Sequence, residues 1–382
     1  MPAAHNSPLA LLGGLSADQF LRDYWQKKPL LVRQAYQPGW ITQQEVFGYG
    51  AADDIEARLV AKRRGRWHVS FGPQNALPRE KRDWTLLVQG VNQRHRGAAT
   101  LMQSLDFLPF WRLDDVMLSF AAPGGGVGPH VDSYDVFLLQ VEGRRRWRIS
   151  QQRDLSLVPG LPLKMLANFE ATEEWQLEPG DMLYLPPQVA HEGVAVDACL
   201  TASIGFRAPH FAELQREFLH FAADASDLAG RYSDRGRKAT SHPGELDDHL
   251  IEQACKRILA ARFEEADVVQ FLGSYLSEPK ATVFFDAMPQ KAWQQAMRRI
   301  TEGVALDARS IMLYRGKYFF INGEELGATG AERRLLTLLA DRRRLDRRDL
   351  QKASSALLEQ LGEWLEAGWL NLESCDERQH AN

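Results

Sequence analysis

Pro123-Gly124-Gly125-Gly126-Val127-Gly128-Pro129-His130-Val131-Asp132 is answered 59 residues after Asp132 by His191, just past the turn Pro186-Pro187-Gln188-Val189-Ala190. In an extended chain, side chains at i and i+2 point the same way, so His130 and Asp132 project together. With His191 they supply two imidazoles and one carboxylate, a set that fills one face of a metal and leaves the other open, as in non-haem iron(II) sites. Structural zinc would want four closed ligands, usually thiolates, and none lies nearby. The glycines let backbone approach a ligand closely. A phosphate cradle is disfavoured, because the loop runs toward a strand and lacks a GK[ST] ending.

The run Arg144-Arg145-Arg146-Trp147-Arg148-Ile149 alternates, with Arg145, Trp147 and Ile149 on its apolar face. An arginine turned inward there costs several kcal/mol, on the order of a buried unpaired charge, unless an anion answers it. A dicarboxylate would do so, one end on the metal and the other in a bidentate pair with the guanidinium; a protein carboxylate is the alternative. Ser203 shares a face with Cys199 and Thr201, all small, and is a candidate to line the same cavity.

Around these residues, short runs with period-two alternation fall near 116–121, 135–141, 145–150, 182–185, 191–196 and 199–206. Turns at Glu142-Gly143 and Glu178-Pro179-Gly180-Asp181 separate them, the signature of an antiparallel sandwich or barrel. Before them, Ser16 and Gln19 at capping-box spacing start a helix expected over about 16–30, stopped by Pro29. After Pro209 helical spacing takes over, with further helices near 248–262 and 265–277 around a polar loop, Arg231 to Asp247. A hairpin over Ser310 to Asn322, turning at Gly316-Lys317, precedes helices near 330–341 and 354–367 and resembles a winged helix. The expected division is a catalytic domain over 1–208, a helical region over 209–278 and a winged-helix-like domain over 279–382.

The chain has 382 residues, 45% hydrophobic and 25% charged, with a formal net charge of −4. That balance fits several packed domains and gives no whole-chain reason for a nucleic-acid coat or a membrane surface. In the winged-helix-like part, carboxylates interleave with the arginines of 342–348, so direct nucleic-acid binding is not expected. Cys199, Cys255 and Cys375 show no CxxC spacing, which argues against disulfides and zinc knuckles and fits a cytoplasmic protein. No secretion signal and no stretch of about 18 apolar residues is evident.

At these residues the sequence resembles the JmjC oxygenases of the cupin superfamily, and within them the bacterial ribosomal oxygenases that hydroxylate an arginine of a ribosomal protein. The likeness is carried by Tyr24 through Pro29, Asp114 through Phe120, Pro123 through Phe137, Gly143 through Arg148, and Pro186-Pro187 with His191-Glu192-Gly193. It implies a mixed β and α fold: a double-stranded β-helix core, a helical dimerisation region and a C-terminal winged-helix-like domain. It implies iron(II) on His130, Asp132 and His191, 2-oxoglutarate held by Arg145, and O2 as second co-substrate. Asp115, Met117 and Tyr134 would border the substrate, an arginine of the large-subunit protein numbered sixteen, hydroxylated at its β-carbon by a homodimer. The competing readings are a JmjC-type protein demethylase and a metal-binding cupin acting without catalysis as sensor or scaffold.

Overall fold

Ser16 and Gln19 close the expected capping box at the start of α1 (Ala17–Asp23), each side chain accepting from the other's backbone N–H at 2.8 and 3.1 Å. The helix is shorter than its apolar spacing suggests. Gln26 turns to a φ of 56°, and its N–H donates to the Tyr184 hydroxyl at 2.7 Å instead of continuing the helical ladder. This computed structural model describes residues 7–161, 163–224, 231–233, 235, 239, 246 and 248–373. Most of the polar loop 231–247, including His242-Pro243-Gly244, lies outside the described residues, as does Cys375.

The chain divides into two compact units: Met1–Ala208 with Ala281–Asp286 and Leu306–Arg309, and Pro209–Lys280 with Ala287–Ala305 and Ser310–Asn382. In the first, β1 (Leu30–Val32) and α2 (Gln43–Gly50) lead into β2 (Ala57–Arg63), β3 (Arg66–Phe71) and β4 (Trp84–Val88). After α3 (Arg96–Gln103) come β5 (Leu113–Ala121), β6 (Val136–Glu142), β7 (Arg145–Ser150), β8 (Glu173–Leu177), β9 (Met182–Leu185), β10 (Ala190–Ala195) and β11 (Cys199–Phe206). The large sheet runs β1-β9-β6-β11-β5-β4-β2-β3 and the small one β10-β7-β8, with antiparallel neighbours throughout. This is the double-stranded β-helix core.

Both faces of the large sheet are covered at its centre, so alternation is blurred there. In β6, Phe137 and Leu139 join a core with Phe20 and Tyr184 on one face, while Val136 and Leu138 join Trp147, Ile149 and Leu183 on the other. Phe20 is fully buried, with its ring centroid 5.0 Å from that of Tyr184. Behind it Asp135, also fully buried, accepts from Tyr184 Oη at 2.6 Å, Arg112 Nη2 at 2.9 Å and Gln26 Nε2 at 3.0 Å. That network ties the turn after α1 to the residue where β6 begins, next to the cavity.

The second unit holds α4 (Phe211–Asp224), α5 (Asp248–Ile258), α6 (Glu265–Ser277), α7 (Gln290–Met297) and all but the last residue of β12 (Gly303–Leu306). Then come β13 (Met312–Arg315), β14 (Tyr318–Ile321), β15 (Glu324–Gly327), α8 (Gly330–Arg342), β16 (Arg344–Asp346), α9 (Arg347–Leu350), α10 (Ser355–Glu366) and β17 (Leu370–Leu372). The hairpin turns at Gly316, and a third strand, β15, extends it. A Cβ on Gly273 would fall 2.2 Å from the Phe320 ring, so glycine there lets α6 lie against β14. Among the described residues no helix is long and apolar enough to cross a membrane.

Candidate active site

His130 and His191 meet through their backbones before they meet through their rings. Each N–H donates to the other's carbonyl, at 3.0 and 2.8 Å, in an isolated antiparallel bridge, and the rings stand 4.3 Å apart. The HxD segment is thus a bridge and loop rather than a regular strand, which begins only at Val136. Asp132 is anchored by its carbonyl, which accepts from Gln188 N–H at 2.9 Å. Gln188 takes a φ of 66° in the turn before β10.

Ligand atoms of His130, Asp132 and His191 all lie within 4.8 Å of one another, the only such cluster among the described residues. Nδ1 of His130 lies 3.0 Å from the Gly128 carbonyl, and Nδ1 of His191 lies 2.9 Å from that of Val189. A carbonyl only accepts, so each neutral ring carries its proton on Nδ1 and presents the Nε2 lone pair to the cluster. Burial pushes His191 down to about 4, helped by the neighbouring His130 charge and opposed by Asp132. It is therefore a neutral donor at ordinary pH.

That shift has a measurable sign. An unfolded histidine titrates near ~6.5, so between there and about 4 the unfolded chain holds a proton that the folded one refuses. Stability of the metal-free protein is expected to fall with acidification through this window, by roughly 1 kcal/mol per pH unit. Urea midpoints from pH 7 to pH 4.5 measure it; His191→Gln should flatten the slope, and an unchanged slope would contradict the assignment.

The glycine loop is built for close approach. A Cβ on Gly125 would sit 2.2 Å from the Trp84 carbonyl oxygen, and one on Gly126 would sit 2.5 Å from that of Gly193, backbone atoms in both cases. Gly125→Ala is expected to cost about 1–3 kcal/mol as an overpacking change and to weaken metal binding by displacing the approach to His130. A denaturation midpoint equal to wild type would refute this.

The cluster opens on a cavity of about 410 Å³, lined by strands of both sheets and the glycine loop. Arg145 is 4% exposed, on the face shared with buried Trp147 and Ile149. Its Nη1 donates to Ser119 Oγ at 2.9 Å, while Nε and Nη2 are buried without a partner among the described residues. Thr85 Oγ1 and Trp147 Nε1, on the same lining, are unpaired as well. Such groups are expensive to bury unanswered; a carboxylate entering the cavity answers them.

Ser203 lines the cavity opposite Met117 in register. Asp115, Met117 and Tyr134 border it too. Asp115 is 8% exposed and accepts from Gly90 N–H at 2.9 Å, and a Cβ on Gly205 would fall 3.6 Å from Asp115 Oδ1 and 4.0 Å from Tyr134 Cε2. Burial, then the charges of Asp132 and Asp115, drive the Tyr134 hydroxyl well above its usual range, so it stays a neutral donor. Sequence reasoning missed Ser119, Thr85, Arg58 and Gly205. Ser119 shares a strand face with Asp115 and Met117 and could have been found by extending that alternation; the other three carry no local signal.

Fold and donor set together place the chain among the metal- and 2-oxoglutarate-dependent oxygenases of the double-stranded β-helix. Residues 100–214 match the JmjC domain family and residues 257–371 the ROXA-like winged helix. The chain is 35% identical over 270 residues to Ribosomal protein uL16 3-hydroxylase of Escherichia coli (strain K12), covering 70% of this chain and 72% of that protein. It is 34% identical over 288 residues to a probable ribosomal oxygenase of Haemophilus influenzae, covering 71% and 70%. The X-ray structure of E. coli YcfD superposes with a TM-score of 0.81 at 30% identity, covering 94% of this chain and 98% of that one. A structure of the same ribosomal oxygenase with cobalt and 2-oxoglutarate superposes at 0.78. The chain belongs to the JmjC ribosomal oxygenases.

Proposed function

We propose that the chain hydroxylates the β-carbon of an arginine in ribosomal protein uL16, with His130, Asp132 and His191 holding iron(II) and Arg145 holding the distal carboxylate of 2-oxoglutarate. The observation that carries the co-substrate reading is Arg145, buried beside the three-residue cluster with two N–H-bearing nitrogens unanswered. The relative's name supplies the protein substrate and the 3-position. When bound, iron, 2-oxoglutarate and O2 supply the oxidant, and succinate and carbon dioxide leave. The chain's own residues bind, orient and exclude water. Ser119, hydrogen-bonded to Arg145, fixes the guanidinium plane, and Ser203 borders the co-substrate. Asp115 pairs with the substrate guanidinium, whose stem and planar head pack on Met117 and Tyr134.

The test incubates purified protein with iron(II), 2-oxoglutarate and a peptide from uL16 and follows peptide mass. Gain of one oxygen on an arginine supports the proposal. No gain, or loss of a methyl group from a methylated peptide instead, points to the scaffold or demethylase readings. We further propose a cytoplasmic homodimer, with 209–278 as the dimerising region between a catalytic domain over 1–208 and a winged-helix-like domain over 279–382. Phe211 at 89% exposure and Ile258 at 66% support the dimer, being apolar side chains without cover. Light scattering should give twice the chain mass, and Phe211→Ser with Ile258→Ser should halve it.

A further inference from the structure

The edge of the large sheet carries a charge pattern that the whole-chain balance conceals. Residues 57–83 contain eight lysines and arginines against two carboxylates, Glu80 and Asp83, a net +6 in a chain of formal charge −4. They form the β2–β3 hairpin, turning at Arg64 and Gly65 with positive φ, and the arm Arg79 to Arg82. The arm lies beside the hairpin: just past it the Asp83 carbonyl accepts from Lys62 N–H at 2.8 Å and the Asp83 carboxylate pairs with Arg82 at 3.3 Å, while Arg63 pairs with Glu80 at 3.4 Å. Seven of the cations, Lys62, Arg63, Arg64, Arg66, Arg79, Lys81 and Arg82, are exposed. Among the described residues, Arg64, Arg66, Arg79 and Lys81 have no ion pair.

Two aromatic side chains share this edge. Trp67 is half-buried, with Lys62 Nζ 5.4 Å from its ring centroid, and Phe71 is 67% exposed. Register pairs Phe71 with Arg58 and Trp67 with Lys62, so the aromatics lie on the same sheet face as Arg58, which lines the metal cavity. The edge therefore leads from the cavity rim to the hairpin tip, about 20 Å of strand. Protecting an edge from pairing needs only a lysine or two and is undone by an exposed phenylalanine. Arg63 and Arg66, paired in register, point to the opposite face from the rings, so this outermost edge offers cations on both sides with rings on one, which suits a flexible polyanion with stackable bases wrapping the edge.

We propose that the β2–β3 hairpin and the 79–82 arm form a binding surface for single-stranded RNA, the phosphates meeting the cations and bases stacking on Phe71 and Trp67. Charge complementarity selects a polyanion as the partner. The inference is independent of the reaction: hydroxylation of a free peptide does not require the surface.

The experiment titrates full-length protein into a fluorescently labelled single-stranded RNA of about 15 nucleotides at several salt concentrations. Binding near 10⁻⁶ M, roughly the strength of sequence-independent contacts, is expected, with a log–log salt slope of about −3 for some four phosphates engaged. Arg64→Ala/Arg66→Ala/Lys81→Ala should weaken binding at least about tenfold and bring the slope toward −1. Phe71→Ser should weaken it about tenfold, the worth of one stacked base. Both variants should keep wild-type melting and peptide hydroxylation. Removing equal charge elsewhere, as Arg315→Ala/Lys317→Ala/Arg334→Ala, should change little. The proposal is overturned by no binding, by equal loss in that control, or by displacement with oligoglutamate as effective as with RNA, which would mark an acidic-protein contact.

Discussion

Asp132→Ala is expected to lose metal binding and turnover together while remaining folded. Asp132 supplies the only carboxylate among the three groups within 4.8 Å of one another, and its Oδ2 stands 3.6 Å from His191 Nε2. Without it, two neutral imidazoles face a dication with no compensating charge. Partners outside the coordination shell already contribute 10–100-fold to metal affinity, so removal of a direct anionic donor should cost at least on the order of 100-fold. The readout is thermal: a metal present at 100 times its Kd stabilises the folded state by about 3 kcal/mol. Cobalt(II), which does not turn over, should raise the melting temperature of wild type by several degrees and leave Asp132→Ala unmoved. His130→Ala should behave alike, with further loss because its backbone bridge to His191 is no longer buttressed by a ring. An equal cobalt-induced shift in Asp132→Ala would place the metal elsewhere and remove the basis of the proposed function.

The parts of the site legible in the sequence are those held by short-range rules. His130 and Asp132 are two residues apart, and Arg145 shares an alternating face with Trp147 and Ile149, so their directions follow from backbone geometry. His191 was legible as the first histidine after a two-proline turn, although nothing local reveals that its backbone pairs with that of His130. The strands over 57–88 were not legible. β4 is buried at every position, so alternation is absent, and β3 is an exposed edge with no apolar face to mark it. The cavity wall they build, with Thr85 and Arg58, was invisible for the same reason. Likewise the helix after Ser16 was overextended because Tyr24 and Trp25 continue its apolar spacing, whereas Gln26 is drawn off by Tyr184, 158 residues away. Average charge hid the basic edge, since an excess of carboxylates elsewhere in the chain cancels it.

Arg145→Met separates structure from function, because a buried cation lacking an anion should burden the protein until its co-substrate arrives. Nε and Nη2 are buried without a partner among the described residues, and Nη1 reaches the neutral Ser119 hydroxyl. Replacing buried ions with apolar groups of similar length is commonly neutral or stabilising by about 1–4 kcal/mol. The variant is therefore expected to melt at or above the wild-type temperature. For 2-oxoglutarate the sign reverses. Truncating one partner of a buried charge pair costs about 2–5 kcal/mol, roughly 30- to several thousand-fold in affinity, so KM for 2-oxoglutarate should rise at least 30-fold. Arg145→Lys should recover only part of this, since an ammonium cannot make the bidentate pair. Cobalt binding should survive in both, because neither touches the His130, Asp132 and His191 cluster. Wild-type affinity for 2-oxoglutarate in Arg145→Met would show that the dianion is held elsewhere. Reduced stability with intact affinity would show that Arg145 is a structural residue whose partner is water.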